Sequence, residues 1–206
     1  MLKHTPSSFP FRDSNTLTAE QSEIIKVAEA GHNILVTGQA GTGNSTLVHA
    51  LQKDLRRKGR KVAIVCSSGI AGTVYLRDGT TASTAHAFYG LRTADLPANM
   101  VVERSVANNL VCERAREADT FIWDEISMTS RRVFELANKI HELLSSYGES
   151  KYLFGGKQVI LVGDFLQLRP VANFFDLGRF VFDSPLFIKS IPHRYELKML
   201  LRPLAK

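Results

Sequence analysis

A chain of 206 residues with 44% hydrophobic content and a formal net charge of +6 can bury one sizeable core and is compatible with a polyanionic partner. Its two cysteines, Cys66 and Cys112, lie far apart without ligand-like neighbours, which excludes a disulfide framework and a zinc site and fits a reducing compartment. No apolar run approaches the ~20 residues that span a bilayer, and residues 1–15 lack the apolar core of a signal peptide, so neither a membrane protein nor a secreted one is expected.

Residues 1–16, with Pro6, Pro10 and several serines but no apolar period, read as a loose arm, and residues 17–206 as one folded domain. Lys3 and Arg12 in that arm leave an organellar transit segment open. Thr18-Ala19-Glu20-Gln21 has the form of a capping box, opening a helix with Ile24, Ile25 and Val27 inward. Residues 33–37 then read as a buried strand, and residues 45–57 as a helix with Leu47, Val48 and Leu51 on one side.

Between that strand and helix lies Gly38-Gln39-Ala40-Gly41-Thr42-Gly43-Asn44-Ser45. Glycines at the tight positions let main-chain N–H groups wrap a polyphosphate, and the positive end of the following helix faces the anion. Ser45 stands where a P-loop hydroxyl reaches Mg²⁺, whereas Asn44 replaces the lysine that contacts the β- and γ-phosphates. An ordinary Gly-rich turn between strand and helix has the same local form. The basic run Lys53, Arg56, Arg57, Lys58, Arg60 and Lys61 suits either a solvated helix end that complements the dipole or a nucleic-acid contact.

Apolar runs at 61–65, 120–123 and 158–162 read as central parallel strands, with a helix over 131–144 and a further strand over 195–200. Residues 97–106 and 145–155 read as surface excursions. The alternation predicts an α/β fold: a doubly wound, mostly parallel sheet with helices on both faces and a ligand crevice beyond the carboxyl ends of the strands.

Several chemistry-bearing groups fall at that edge. Ser67-Ser68-Gly69-Ile70-Ala71-Gly72 and Thr84-Ala85-His86-Ala87-Phe88 suit the phosphates and stacked bases of a single strand, although His86 and Phe88 taken alone suit core packing better. Asp124-Glu125 ends an apolar strand in the form of a Walker B element, with Asp124 for Mg²⁺ and Glu125 as the base for an attacking water. Adjacent acids after a strand are also common as a solvent-facing pair. In Gly163-Asp164-Phe165-Leu166-Gln167-Leu168, the Gln167 amide can donate and accept and so sense a γ-phosphate or place water. A Gly-Asp turn over a buried Phe165 accounts for only the first part of that string.

Leu17…Gln21, the Gly-Gln-Ala-Gly-Thr-Gly loop, Ser68-Gly69-Ile70-Ala71, Thr84-x-His86-x-Phe88, Asp124-Glu125-Ile126-Ser127-Met128, Phe154-Gly155-Gly156-x-Gln158 and Gly163-Asp164-Phe165-x-Gln167-Leu168-x-Pro170-Val171 together resemble the Pif-one family of superfamily one DNA helicases. The resemblance runs from Leu17 to Arg202. It implies a RecA-like P-loop NTPase that uses ATP and Mg²⁺ for 5′-to-3′ movement on single-stranded DNA in genome maintenance, including DNA repair, recombination and telomere maintenance. It places Gln21 at the adenine and Gly38, Gly41, Thr42, Gly43, Asn44, Ser45 and Thr46 around the nucleotide. It further implies Ser45 and Asp124 at Mg²⁺, Glu125 as base, Gln167 as γ-phosphate sensor, Arg202 at phosphate, and Ser68, Gly69, Thr84, His86 and Phe88 on DNA.

Three departures accompany the resemblance: Asn44 for the P-loop lysine, Arg169 for a usual proline, and Pro203 after Arg202 where a glutamine is usual. The family's second RecA-like domain, which closes over the nucleotide and supplies a further arginine and half of the DNA track, is expected to lie outside these residues. The expectation is a first motor domain with impaired hydrolysis, its second domain supplied by a longer gene product. The alternative is a non-hydrolysing nucleotide- or single-stranded-DNA-binding module. The implied compartment is nuclear or mitochondrial in a eukaryote and cytoplasmic otherwise.

Overall fold

Parallel strands need long crossovers, which lay helices over the sheet and bury both of its faces. The computed structural model describes residues 17–69, 75, 82–91, 96–146 and 152–198. Its strands are β1 (Ile34–Gly38), β2 (Val62–Cys66), β3 (Ala82–Thr84), β4 (Thr120–Asp124), β5 (Gln158–Gly163) and β6 (His193–Leu197). The longer helices are α1 (Ala19–Glu29), α2 (Asn44–Arg57), α3 (Ala85–Tyr89), α4 (Ala98–Val106), α5 (Asn109–Glu117), α6 (Arg131–Leu144) and α7 (Pro185–Ser190). The expected arm, Ile70-Ala71-Gly72 and Arg202 lie outside the described residues.

The six strands form one sheet in the order β3-β2-β4-β5-β1-β6, every pair parallel. Alternation along each strand divides the core in two. Ile34, Val36, Ile64, Ile122, Ile160 and Val162 meet Ile24 and Ile25 of α1 and Leu47, Val48 and Leu51 of α2. Leu35, Val65, Phe121, Trp123, Val159 and Leu161 face the opposite layer, which includes Phe88, Val101, Val111, Phe134 and Phe187. In α1 the inward third position is Ala28, with Val27 only half-buried.

Residues 97–106, expected as an excursion, instead contain α4, which follows Pro97 and buries Val101, Val102 and Ser105. Three inward positions in nine residues give too short a period to separate this helix from a loop, and the proline before it marks a stop as readily as a start. Helix α5 was not anticipated either; the Asn108 side chain caps it by accepting from Leu110 N at 3.0 Å. No helix among the described residues is long and apolar enough to cross a membrane.

Registry brings the strand ends together. Cys66 lies beside Asp124, and Thr37 beside Gly163, so β5 separates the end of β1 from the end of β4. A Cβ on Gly163 would stand 3.0 Å from Ile126 N, because the turn after β4 lies across the end of β5.

Candidate functional site

The chain leaves β1 at Gly38 and enters α2 at Asn44, with Gly41 at φ 92° and Gly43 at φ 94°. Both values lie in the left-handed region that glycine adopts without a side-chain penalty. Gly43 is the N-cap of α2 and no side chain caps that end, so the first-turn N–H groups remain suited to an anion. Thr42 braces the loop, its N and Oγ1 both donating to Gln39 O at 3.1 and 2.8 Å.

Asn44 turns back into this loop. Its Nδ2 donates to Gly38 O at 2.8 Å, and its Oδ1 is buried with no hydrogen-bond partner among the described residues. A Cβ on Gly38 would crowd Thr42 Oγ1 and stand 2.9 Å from Asn44 Oδ1, so a larger residue at the start of the loop would displace these side chains. Ser45 is exposed and Thr46 half-buried on the first turn of α2.

Gln21 is fully buried and forms the expected capping box: Thr18 N donates to its Oε1 at 3.0 Å, and its own N donates to Thr18 Oγ1 at 3.1 Å. The same side chain reaches the loop, Nε2 donating to Gly43 O at 3.4 Å. One amide thus joins the start of α1 to the start of α2.

Asp124 ends β4 and is only 7% exposed. Its Oδ1 accepts from Glu125 N at 2.9 Å and its Oδ2 from the hydroxyl of Tyr75 at 2.5 Å. Burial raises the Asp124 carboxyl above the usual range, against the lowering effect of the Tyr75 hydrogen bond. Burial and the neighbouring Asp124 also raise the Tyr75 phenol, and the Cys66 thiol is pushed up to about 12 by burial and then by Asp124 and Glu125. Among the described residues no group of three or more His, Cys, Asp or Glu side chains could hold a metal ion; the Asp124 carboxylate alone offers the oxygen donors that a hard ion such as Mg²⁺ takes. Glu125 has φ 55°, an uncommon value for a side chain-bearing residue and the sort of backbone strain that gathers at functional sites.

The end of β2 meets these acids. Ser68 Oγ donates to Glu125 Oε2 at 2.8 Å, and Ser67 N donates to Asp124 O at 3.2 Å. Gly69 follows, exposed. Thr84 ends β3 beside Cys66 and caps α3, its Oγ1 accepting from Ala87 N at 3.2 Å, while His86 is exposed. Phe88 corrects the expectation of a base-stacking ring: it is 6% exposed, edge-on to Phe121 at 5.8 Å, with the Arg114 guanidinium 5.2 Å from its ring centre. On the inner side of a short helix against β4, its face is occupied by protein.

Gln167 lies exposed in the turn after β5, its Nε2 donating to Asp164 Oδ2 at 2.9 Å. The Phe154-Gly155-Gly156 string serves packing. Phe154 is buried, and a Cβ on Gly155 would stand 2.8 Å from His141 O. Gln158 ties β5 to the α1–β1 turn, donating to Ala28 O and His32 O at 2.8 Å. The residue that sequence reasoning missed is Tyr75: a lone aromatic outside any periodic run carries no signal that its hydroxyl meets Asp124.

A P-loop strand, an acidic strand end and an intervening parallel strand define a RecA-like P-loop NTPase domain. The profile of the PIF1-like helicase family matches residues 16–177, and the chain belongs to that family. It is 32% identical to the ATP-dependent DNA helicase Pif1 of Bdellovibrio bacteriovorus over 76% of this chain and 34% of that protein. Against the Saccharomyces cerevisiae helicase PIF1 it is 32% identical over 90% of this chain and 21% of that protein. The chain therefore spans about a third or less of these two relatives.

Among solved structures, the Pif1 helicase of Candida albicans superimposes with a TM-score of 0.77 at 31% identity, covering 89% of this chain and 40% of that one. The Bacteroides Pif1 helicase in complex with ADP-AlF3 and single-stranded DNA gives 0.68 at 25% identity, covering 89% and 42%.

Proposed function

We propose that this chain is the first RecA-like motor domain of a Pif1-type DNA helicase, that it binds Mg-ATP and single-stranded DNA, and that by itself it hydrolyses ATP slowly. The observation carrying the last part is Asn44: it is uncharged, and its side chain is engaged with Gly38 O inside the loop. A charge-assisted hydrogen bond is worth about 1.5 to 3 kcal/mol, so lacking the lysine weakens nucleotide binding by roughly ten- to a hundredfold before any effect on the transition state.

In this reading Gly38, Gly41, Thr42 and Gly43 form the phosphate cradle, with Asn44, Ser45 and Thr46 at the helix start and Gln21 at the adenine. Ser45 and Asp124 would hold Mg²⁺, which would supply positive charge against the phosphates. Glu125 accepts the proton of the attacking water, and Gln167 and Arg202 contact the γ-phosphate. Ser68, Gly69, Thr84 and His86 line the DNA side. A second RecA-like domain, from a longer gene product, would supply the closing arginine; lacking such a finger costs about 10³ to 10⁵ in rate.

Asn44 also favours a second reading, a binding module without turnover. Phosphate release from Mg-ATP, with and without oligo-dT, alongside binding of a fluorescent ATP analogue, separates the two. Slow, DNA-stimulated turnover supports the motor domain, and binding without turnover supports the module. No nucleotide binding contradicts the motor domain, and binding of neither nucleotide nor oligo-dT contradicts both.

A further inference from the structure

Gln21 is 0% exposed, and both ends of its amide are taken by main chain. Its Oε1 accepts from Thr18 N at 3.0 Å at the start of α1, and its Nε2 donates to Gly43 O at 3.4 Å at the start of α2. Gly43 O also accepts from Leu47 N at 2.9 Å, the first hydrogen bond of α2. The carbonyl that opens the helix is therefore held from two directions. Gly43 is the left-handed N-cap of α2 and no side chain caps that end, so the buried amide steadies from outside a glycine whose own backbone is free to turn.

Main-chain N–H groups bind a phosphate best when they already point at it, because ordering a glycine loop on binding costs conformational entropy. We infer that Gln21 is a positioning residue for the phosphate loop: its amide holds the Gly43 peptide, and through it the first turn of α2, in the orientation that receives the triphosphate. This rests on the nucleotide reading proposed above. To the place of Gln21 at the adenine it adds an effect on the phosphates, whose signature is a loss of affinity that does not depend on the base.

Competition against a fluorescent ATP analogue reads this on the whole chain, with Mg²⁺ and with ATP, GTP or tripolyphosphate as competitor, in wild type, Gln21→Met and Thr18→Val. Gln21→Met keeps the length of the side chain and removes the donor, so it should weaken all three competitors by the same factor, about two- to tenfold, the size of one net hydrogen bond. Thr18→Val removes the hydroxyl that accepts from Gln21 N at 3.1 Å but leaves the amide on Gly43. It should lower the melting temperature, as a lost N-cap does, and leave all three affinities at wild type. Unchanged affinities in Gln21→Met overturn the positioning role, as do equal losses in both variants. A loss confined to ATP, or a wild type that GTP and tripolyphosphate fail to displace, assigns Gln21 to the base alone and overturns it too. Where Gln21→Met does not fold, Gln21→Glu still accepts from Thr18 N without a donor for Gly43 O, and unchanged tripolyphosphate affinity there is equally decisive against the role. A wild type that binds neither nucleotide nor tripolyphosphate overturns the nucleotide reading and the positioning role together.

Discussion

The Asn44 amide donates to the carbonyl oxygen of Gly38 at 2.8 Å, closing the glycine loop from the position where a P-loop lysine would stand. The loop keeps its backbone form, with Gly41 and Gly43 left-handed and the start of α2 uncapped, while the one side chain that would bring charge to the phosphates is neutral and turned inward. Shape and charge are thereby separated in one site. The main chain has the form that cradles an anion, and the side chain at the lysine position brings no charge to it.

The acids are predicted to separate in phenotype. Asp124 is buried and tied to Tyr75, whereas Glu125 is half-buried and bonded to Ser68. Glu125→Gln should leave nucleotide binding nearly intact, and Asp124→Ala should weaken its Mg²⁺ dependence. Titration of a fluorescent nucleotide with and without Mg²⁺ checks this, and equal binding losses in both variants with the fold retained would mark the pair as structural.

Phe88→Ala should behave as a core truncation, costing about 3 to 5 kcal/mol of stability. The ring packs on Phe121 and Tyr89 and carries Arg114 over its face, so none of it is open to a base. Where the milder Phe88→Leu remains folded, its affinity for oligo-dT should stay near wild type. A large affinity loss with an unchanged melting temperature would restore the stacking role.

Stability should fall with acid through His141. This imidazole is 2% exposed, its Nε2 lies 3.3 Å from the Tyr89 hydroxyl, and burial, aided by Lys157, lowers its pKa from 6.5 to about 3. Between those values the unfolded chain binds the proton and the folded chain does not, so the stability present above pH 6.5 is lost as pH falls toward about 3, at up to about 1.4 kcal/mol per pH unit. Urea unfolding at a series of pH values should give a shallower acid slope in His141→Gln, and an unchanged slope would remove His141 from the account.

Strands β1, β2, β4 and β5 were legible because each is an almost unbroken apolar run, and α2 and α6 because their inward residues recur over four turns. The short helices α4 and α5 were not, since three buried residues per helix define no period. At the site, spacing alone revealed the loop, the acids and the capping box of Gln21. Contacts between segments distant in sequence were invisible: Tyr75 on Asp124, Ser68 on Glu125 and the packing of Phe88 all depend on how β2, β3 and β4 lie side by side. The identity of Asn44 could be read, but the direction of its side chain could not.

Titration calorimetry of Mg-ATP into wild type and Asn44→Lys bears most directly on the glycine loop. With the backbone cradle already formed, one restored charge-assisted contact should tighten binding by roughly ten- to a hundredfold, while hydrolysis recovers far less. Unchanged affinity in a folded Asn44→Lys would contradict phosphate binding at this loop.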